Sequence, residues 1–377
     1  MMIVRNTLIY NMKDFSKDSR TVLTLDAGGT NMVFGAMKGE KYVGEVVTLR
    51  ANTSDLDACL GTMVEGFTRA RNSVDEAPCA ISFAFPGPAD YPAGIIGGYL
   101  PNFPSFRDGV ALGPFLQDKF HVPVFINNDG DLFAFGEAIS GALPSVNRKL
   151  EALGSPKRYS NLLGYTFGTG FGVGCVIGGR LNRGDNSCVE TFCFPHSKLD
   201  GVIVEEGVSI RAVKRVYREL SGVNDPTLEP KDIFYIAEGL RDGDAEAAKG
   251  AFATMGAVAG EAMAMQVQLI DGLIVIGGGI TAASKYIMPS LLGALRGKRR
   301  TLGGEWVSKV QMKVYNLDDE AQFASFAAGQ AKTIKVYGTD RTVTYDPEKR
   351  IGVTISKMGA SKAIAVGAYD FALSELG

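Results

Sequence analysis

Several patterns are missing from this sequence, and each absence removes a class of function. Charge of one sign never accumulates: 39 Lys and Arg stand against 41 Asp and Glu, with no long run of either. No nucleic-acid partner and no membrane partner is therefore expected, and a small molecule becomes the default ligand. The five cysteines, Cys59, Cys79, Cys175, Cys188 and Cys193, are odd in number and include no Cys-x-x-Cys pair. That argues against a disulfide framework and a zinc cluster, and it fits a reducing compartment. No apolar run reaches the length of a membrane span. Met1 to Arg20 lacks the apolar core and small-residue cleavage site of a signal peptide. The expectation is a soluble cytoplasmic protein.

What is present is a chain of 377 residues, long enough for two domains or three. Its organising stretch is Thr21 to Gly39, where an apolar strand enters Asp26-Ala27-Gly28-Gly29-Thr30-Asn31 and a second strand leaves. Adjacent glycines let the backbone take positive φ and approach a ligand, so that N–H groups and the Thr30 hydroxyl face an anion while Asp26 offers a carboxylate. An ordinary hairpin turn uses the same residue types.

The next segments read as a third strand over Lys41 to Arg50 and a helix over Asp55 to Ser73, with Ser54 or Asp55 as cap. Cys79 to Phe85 reads as a buried strand ending at Pro86-Gly87-Pro88, and Asp90 to Pro114 as a loop. A short helix, Leu112 to Phe120, precedes a strand ending at Ile126, then Asn127-Asn128-Asp129-Gly130-Asp131, then a helix from Leu132 to Ser140. Polar groups between a strand's end and a helix's start lie where open α/β sheets bind ligands. Asp131 could be only a helix cap, but Asn128 and Asp129 are more than a cap requires.

Leu162 to Arg183 repeats the opening pattern, with a strand, Gly168-Thr169-Gly170-Phe171-Gly172, and a second strand over Val173 to Ile177. The same spacing separates Thr30 from Gly39 and Thr169 from Gly178. Two such copies point to a duplicated fold; neither has the P-loop or dinucleotide spacing, which leaves phosphate binding by hairpin turns. Chance likeness between Gly-rich turns is the alternative. Gly184 to Glu206 reads as irregular, with His196 as a structural or exposed residue. Helices follow over Val208 to Glu219, Glu229 to Arg241 and Ala245 to Gln268, the last rich in small residues for close packing and in methionines for filling core. A buried strand then ends in Gly277-Gly278-Gly279, a third place where backbone could approach an anion or a ribose ahead of a helix. Thr333 to Tyr337 and Thr342 to Tyr345 read as an added hairpin, and Ser361 to Leu376 as a final helix.

Asp26-Ala27-Gly28-Gly29-Thr30, Asn128-Asp129, Gly168-Thr169-Gly170-Phe171-Gly172 and Gly277-Gly278-Gly279, in this order, resemble the phosphate-1, catalytic, phosphate-2 and adenosine elements of the ROK family of sugar kinases. The closing Gly359 to Ala365 resembles ROK hexokinases of Bacteroides-like bacteria. The resemblance implies an actin/hexokinase-like (ribonuclease H-like) α/β fold, duplicated into two domains with an interdomain cleft: 1–131 with 359–377, and 132–358. It implies ATP-dependent phosphorylation of a hexose at the 6-hydroxyl, with ATP and Mg²⁺ as cofactors and a homodimer as the usual assembly.

Residue by residue, the resemblance makes Asp129 the catalytic base and Gly87, Asn102, Asn128, Asp129, Glu190 and Glu205 the sugar contacts, with Glu206 as fallback. Asp26, Gly28, Gly29, Thr30, Asn31, Gly168, Thr169, Gly170, Gly277, Gly278 and Gly279 fall to the nucleotide. Asp26 would orient Mg²⁺ or phosphate through water.

Two departures stand out: Cys193 occupies the position of a family histidine, and the family's cysteine-rich zinc loop is missing. No structural zinc is expected, and a thiol cannot reproduce an imidazole's hydrogen bonds to sugar. The hexose stays open among glucose, the first choice, mannose, N-acetylglucosamine and N-acetylmannosamine. The rival readings are a non-catalytic sugar sensor and a ROK transcriptional regulator. For the regulator, only about 20 residues precede the first turn, without the basic clustering of a DNA-binding segment.

Overall fold

The computed structural model describes residues 14–377. Most of the stretch that argues against a leader, Met1 to Lys13, lies outside the described residues. The chain divides into two compact units, one of residues to Gly141 with Gly174–Val189 and Met358–Gly377, the other of Ala142–Val173 with Glu190–Lys357. Relative to the expected division at 131/132, the first unit keeps the whole helix that begins at Asp129 and gains the 174–189 segment. Gly174 in that segment lies so close to Gly130 and Ala134 that a β-carbon there would strike the Gly130 carbonyl.

In the first unit, Thr21–Ala27 pairs antiparallel with Asn31–Lys38, which pairs antiparallel with Lys41–Arg50. On its other side Thr21–Ala27 runs parallel to Ala80–Ala84, and that strand parallel to Val124–Asn127. One face packs on the helix Leu56–Asn72, whose Cys59, Met63, Phe67 and Ala70 recur at helical spacing and are buried. Asp55 starts this helix by accepting the Ala58 N–H at 3.0 Å. Phe67 anchors the layer, with ring centres 5.1 Å from Phe34, 5.9 Å from Phe83 and 5.8 Å from Phe120. The helix Ala360–Leu376 packs against the sheet strands, and the helix Asp129–Ile139 packs in turn on it. They cross at Gly136 and Gly367, where a β-carbon on either would collide with the other's backbone.

The parallel strands end in register, Asp26 beside Ala84 and Ala84 beside Asn127. The loops that follow them therefore leave from one edge of the sheet.

In the second unit, Leu162–Phe167, Leu273–Gly277, Arg350–Ile355 and Lys313–Asn316 lie side by side, all parallel. Phe171–Ile177 begins beside the first of these and runs into the first unit at Gly174. The long helix Ala245–Ile270 packs on Ser284–Leu295 through Gly256 and Gly260, which face the Ile287 and Leu291 carbonyls. Met255 and Met263 are buried in this layer as core. The hairpin symmetry expected from the repeated spacing holds at the far turns. Gly39 and Glu40 have φ of 56° and 61°, and Gly178 and Gly179 have 59° and 76°, the left-handed pair that joins twisted strands.

Some elements differ from expectation. The helix read from Leu132 begins at Asp129, and its cap is Asn128 rather than Asp131. Asn128 has extended backbone (φ −75°, ψ 155°), and its side chain accepts the Gly130 and Asp131 N–H groups. The helix expected over Glu229 to Arg241 spans only Pro230–Ala237, since Gly239 turns left-handed at φ 71°. Helices Ala142–Ala152 and Glu320–Ala328 and the strand Arg350–Ile355 were not anticipated. The added hairpin forms over Lys332–Lys335 and Thr342–Tyr345.

Candidate active site

Three of the expected site segments meet at the shared strand edge of the first unit. The Asp26 turn follows the first strand, the Pro86-Gly87-Pro88 loop follows the Ala80–Ala84 strand, and Asn128-Asp129 follows the third parallel strand. The Phe85 N–H donates to the Asn127 carbonyl at 2.9 Å, tying the last two together. Asn102 comes from the intervening loop to the first turn: a β-carbon on Gly29 would sit 3.2 Å from Asn102 Cβ. Gly87 lies beside Tyr91, whose hydroxyl donates to the Phe85 carbonyl at 2.9 Å.

Glycine is needed in the first turn for space, not for left-handed backbone. Gly28 and Gly29 do not have positive φ, contrary to the expectation, but a β-carbon on Gly28 would lie 2.6 Å from the Asn31 carbonyl oxygen. Asp26, Thr30 and Asn31 are exposed around it.

Asp129 is the first residue of its helix. The Gly130 N–H donates to Asn128 Oδ1 at 2.6 Å and to Asp129 Oδ1 at 2.9 Å, so cap and carboxylate share one donor. Protein packed around the Asp129 carboxyl raises its pKa above the ordinary carboxylate range. The Gly130 N–H opposes that rise, and the negative charge of Asp26 adds to it. The residue nevertheless stays open to solvent, and water at the carboxylate limits how far burial can push it.

In the second unit, Gly168-Thr169-Gly170 follows Leu162–Phe167, and Gly277-Gly278-Gly279 follows the neighbouring strand, with Gly277 paired to Thr166. Gly278 requires glycine twice over: its φ is 98°, and a β-carbon would lie 2.7 Å from backbone atoms of Phe167. Gly168 and Gly279 instead border open space, where a β-carbon would meet nothing within 4 Å. A short 3₁₀ turn, Gly279–Ala283, intervenes before the helix that starts at Ser284, with Thr281 Oγ1 donating to the Gly278 carbonyl at 2.7 Å.

Glu205 braces the second turn. It accepts the Phe171 N–H at 3.2 Å, and Arg211 bonds Glu205 and Glu206 at 3.0 Å each while donating to the Thr169 carbonyl at 3.2 Å. Glu205, expected as a sugar contact, is therefore engaged with the Gly168–Gly172 turn here. Glu190 is half-buried beside the wholly buried Thr191. Arg211 was missed in the sequence. Its one readable signal is a cation in the first turn of the helix Ile210–Ser221, where the macrodipole disfavours positive charge.

The segment around His196 closes on itself. His196 Nδ1 accepts the Lys198 and Leu199 N–H groups at 3.0 and 3.1 Å, and the His196 N–H donates to the Val202 carbonyl at 2.8 Å. Burial, with Arg215 and Lys198 nearby, lowers the imidazole pKa. The ring is neutral with Nδ1 as acceptor, a structural role as expected. Among the described residues no three His, Cys, Asp or Glu side chains converge as metal ligands. The single exposed carboxylate of Asp26 beside a glycine turn fits Mg²⁺, which takes one or two carboxylates together with substrate phosphates and water.

The sequence profile of the ROK family matches residues 22–324. A crystal structure of a glucokinase from Parabacteroides distasonis is 57% identical, with a TM-score of 0.89, over 96% of this chain and 99% of that one. A ROK family glucokinase from Streptomyces griseus, solved with glucose and AMPPNP, has the same actin/hexokinase-like α/β fold at 19% identity and a TM-score of 0.59, over 93% of this chain and 98% of that one. AgaK, an N-acetylgalactosamine kinase of Shewanella sp., is 24% identical over 341 residues, covering 85% of this chain and 98% of its own length. The chain spans 23% of the xylose repressor of Bacillus spizizenii, to which it is 34% identical over 104 residues, or 28% of this chain.

Proposed function

The chain belongs to the ROK family, and on that premise we propose that it transfers the γ-phosphoryl group of ATP to the 6-hydroxyl of a hexose, with glucose as the first choice. The observation that carries this reading is the common edge at which Asp26, the Gly28–Asn31 turn, Asn102 and Asp129 meet. Phosphoryl transfer asks a protein mainly to position groups and stabilise charge, and a carboxylate beside a glycine turn supports this reading.

In this reading Asn128 fixes the start of its helix, and the Gly130 N–H holds Asp129 Oδ1. The other carboxylate oxygen takes the proton from the sugar hydroxyl as its oxygen bonds to phosphorus and the bond to ADP breaks. A raised pKa favours that transfer, because a more basic carboxylate accepts the proton more readily. Asn102, Asn128, Gly87 and Glu190 contact the sugar. Glu205 joins them only by exchanging its bonds to Phe171 and Arg211 for sugar hydroxyls, so its sugar role is the most conditional. The backbone and hydroxyls of Gly28 to Asn31 and Gly168 to Gly170 bind phosphates, and Gly277 to Gly279 border the adenosine. Asp26 would be the residue that holds Mg²⁺, which would supply charge neutralisation for the phosphates.

Similarity to the P. distasonis glucokinase favours glucose; AgaK keeps amino sugars in view. Sugar-dependent ADP formation should be measured with glucose, mannose, N-acetylglucosamine, N-acetylmannosamine and N-acetylgalactosamine. A glucose-dependent rate is expected. Binding of a sugar without turnover of any of the five would overturn the kinase reading in favour of a sensor. The working assembly is a homodimer, checked by light scattering.

A further inference from the structure

We propose that Arg183 is a positioning residue for the Asn128-Asp129 pair. The argument rests on the reading of Asp129 as base. Asn127, the last residue of the strand before that pair, is wholly buried. Its side-chain oxygen accepts a hydrogen bond from Arg183 Nη1 at 2.6 Å, while its Nδ2 has no hydrogen-bond partner among the described residues. Arg183 thus fixes the orientation of this buried amide through a charge-assisted, part-buried bond.

The same guanidinium lies 5.3 Å from the centre of the Phe371 ring, within reach of a cation–π attraction. Phe371 meets Phe125 of the Asn127 strand at 6.0 Å and Phe135 of the Asp129 helix at 5.5 Å. Arg183 therefore caps an aromatic cluster formed by the strand that ends at Asn127, the helix that begins at Asp129 and the C-terminal helix. The chain leading to it is pressed against the same helix, with Gly174 on the Gly130 carbonyl.

The nearby charge that acts on Asp129 is that of Asp26. The influence of Arg183 is on where the strand stops and the helix starts. A base must stand within hydrogen-bond reach of the proton it takes, and a displacement of about 1 Å can cost 10²-fold in rate.

The test is steady-state kinetics of Arg183→Ala, Arg183→Lys, Asn127→Ala and the Asn127→Ala/Arg183→Ala pair, with thermal melts of each. Arg183→Ala is expected to lower kcat about 10- to 100-fold with KM for ATP unchanged, and added guanidinium ion should restore part of the rate. The double variant should be no slower than the slower single one, since both break one contact. If Arg183→Ala does not fold, Arg183→Lys carries the test, because an ammonium keeps the charge but loses the planar fork and should still lower kcat. A kcat within twofold of the parent in either folded variant, or singly multiplicative losses in the pair, overturns the proposal. Failure of the base reading is told apart by Asp129→Asn: an active Asp129→Asn enzyme refutes the base, while coupling between positions 127 and 183 in the melts would persist.

Discussion

Replacing Asp129 with Asn separates chemistry from folding more cleanly than any other change in this protein. The amide oxygen of Asn can still accept the Gly130 N–H, which now reaches Asp129 Oδ1 at 2.9 Å, and the Asn128 cap at 2.6 Å is untouched. Losing a negative charge from the first helical turn costs about 0.3–1 kcal/mol. Removing the burial penalty that raises the carboxyl pKa acts in the opposite direction, so the net change in stability is under about 1 kcal/mol by the same charge–dipole scale.

The catalytic loss is much larger. General-base catalysis contributes about 10²–10⁴-fold, which at 1.36 kcal/mol per factor of ten is about 2.7–5.4 kcal/mol of barrier. The variant should therefore bind hexose by calorimetry and melt near the parent while kcat falls by that factor. With Asp129 as the proposed base, kcat/KM of the parent is expected to require the ionised carboxylate. It is present above the folded-state pKa and lost as pH falls through it. Because that pKa is raised, the acid limb should lie above the ordinary aspartate value of about 3.9. A kcat within tenfold of the parent, or an acid limb at or below that value, would refute the reasoning.

Two further changes probe the Gly277–Gly279 segment and the buried acids. Gly278→Ala forces an L-residue to φ 98° and drives a methyl group against the Phe167 backbone. It should destabilise the protein by about 1–3 kcal/mol and raise KM for ATP more than KM for hexose; an unchanged melting temperature would count against it. Asp370 is wholly buried, and Ser140 Oγ lies 2.6 Å from its carboxylate and 2.9 Å from that of Glu40. One hydroxyl proton cannot serve both acceptors, an arrangement that favours a proton kept on one of the two acids. Burial raises Asp370 well above the usual range, with Glu40 and Asp14 adding to it. The native state then holds a proton that the unfolded chain releases near pH 3.9. The associated stability is full below that pH and is lost as pH rises through the raised native pKa. Asp370→Asn should flatten this slope in urea titrations between pH 5 and 9, and an unaltered slope would disprove the assignment.

The hairpins and glycine turns were legible because their signals are local. Apolar runs of strand length and Gly-Gly or Gly-Thr punctuation are written in consecutive residues. Asn128-Asp129 was legible as a polar break between a strand and a helix, although the cap was misplaced. Asn128, Asp129 and Asp131 are all competent N-caps by type, and only the extended backbone at Asn128 selects it. The strand Arg350–Ile355 was hidden by its first residue. Arg350 is a charged side chain held in the core by Asp346 and the Phe326 carbonyl, with its Nη2 left without a hydrogen-bond partner among the described residues. Glu205 could be named as a site candidate, but nothing local showed that Arg211 and the Phe171 N–H would hold it.

The sequence by itself determined the order of elements, the three glycine-marked turns, the acid at Asp129 and the absence of zinc-binding cysteine pairs. Each depends on residue type and short spacing. The tertiary structure decided which loops share an edge, which glycines are required by contact rather than by φ, how His196 closes its own loop, and that Arg183 grips Asn127. Those outcomes depend on distances between residues far apart in the chain, and such distances exist only once helices and strands have packed.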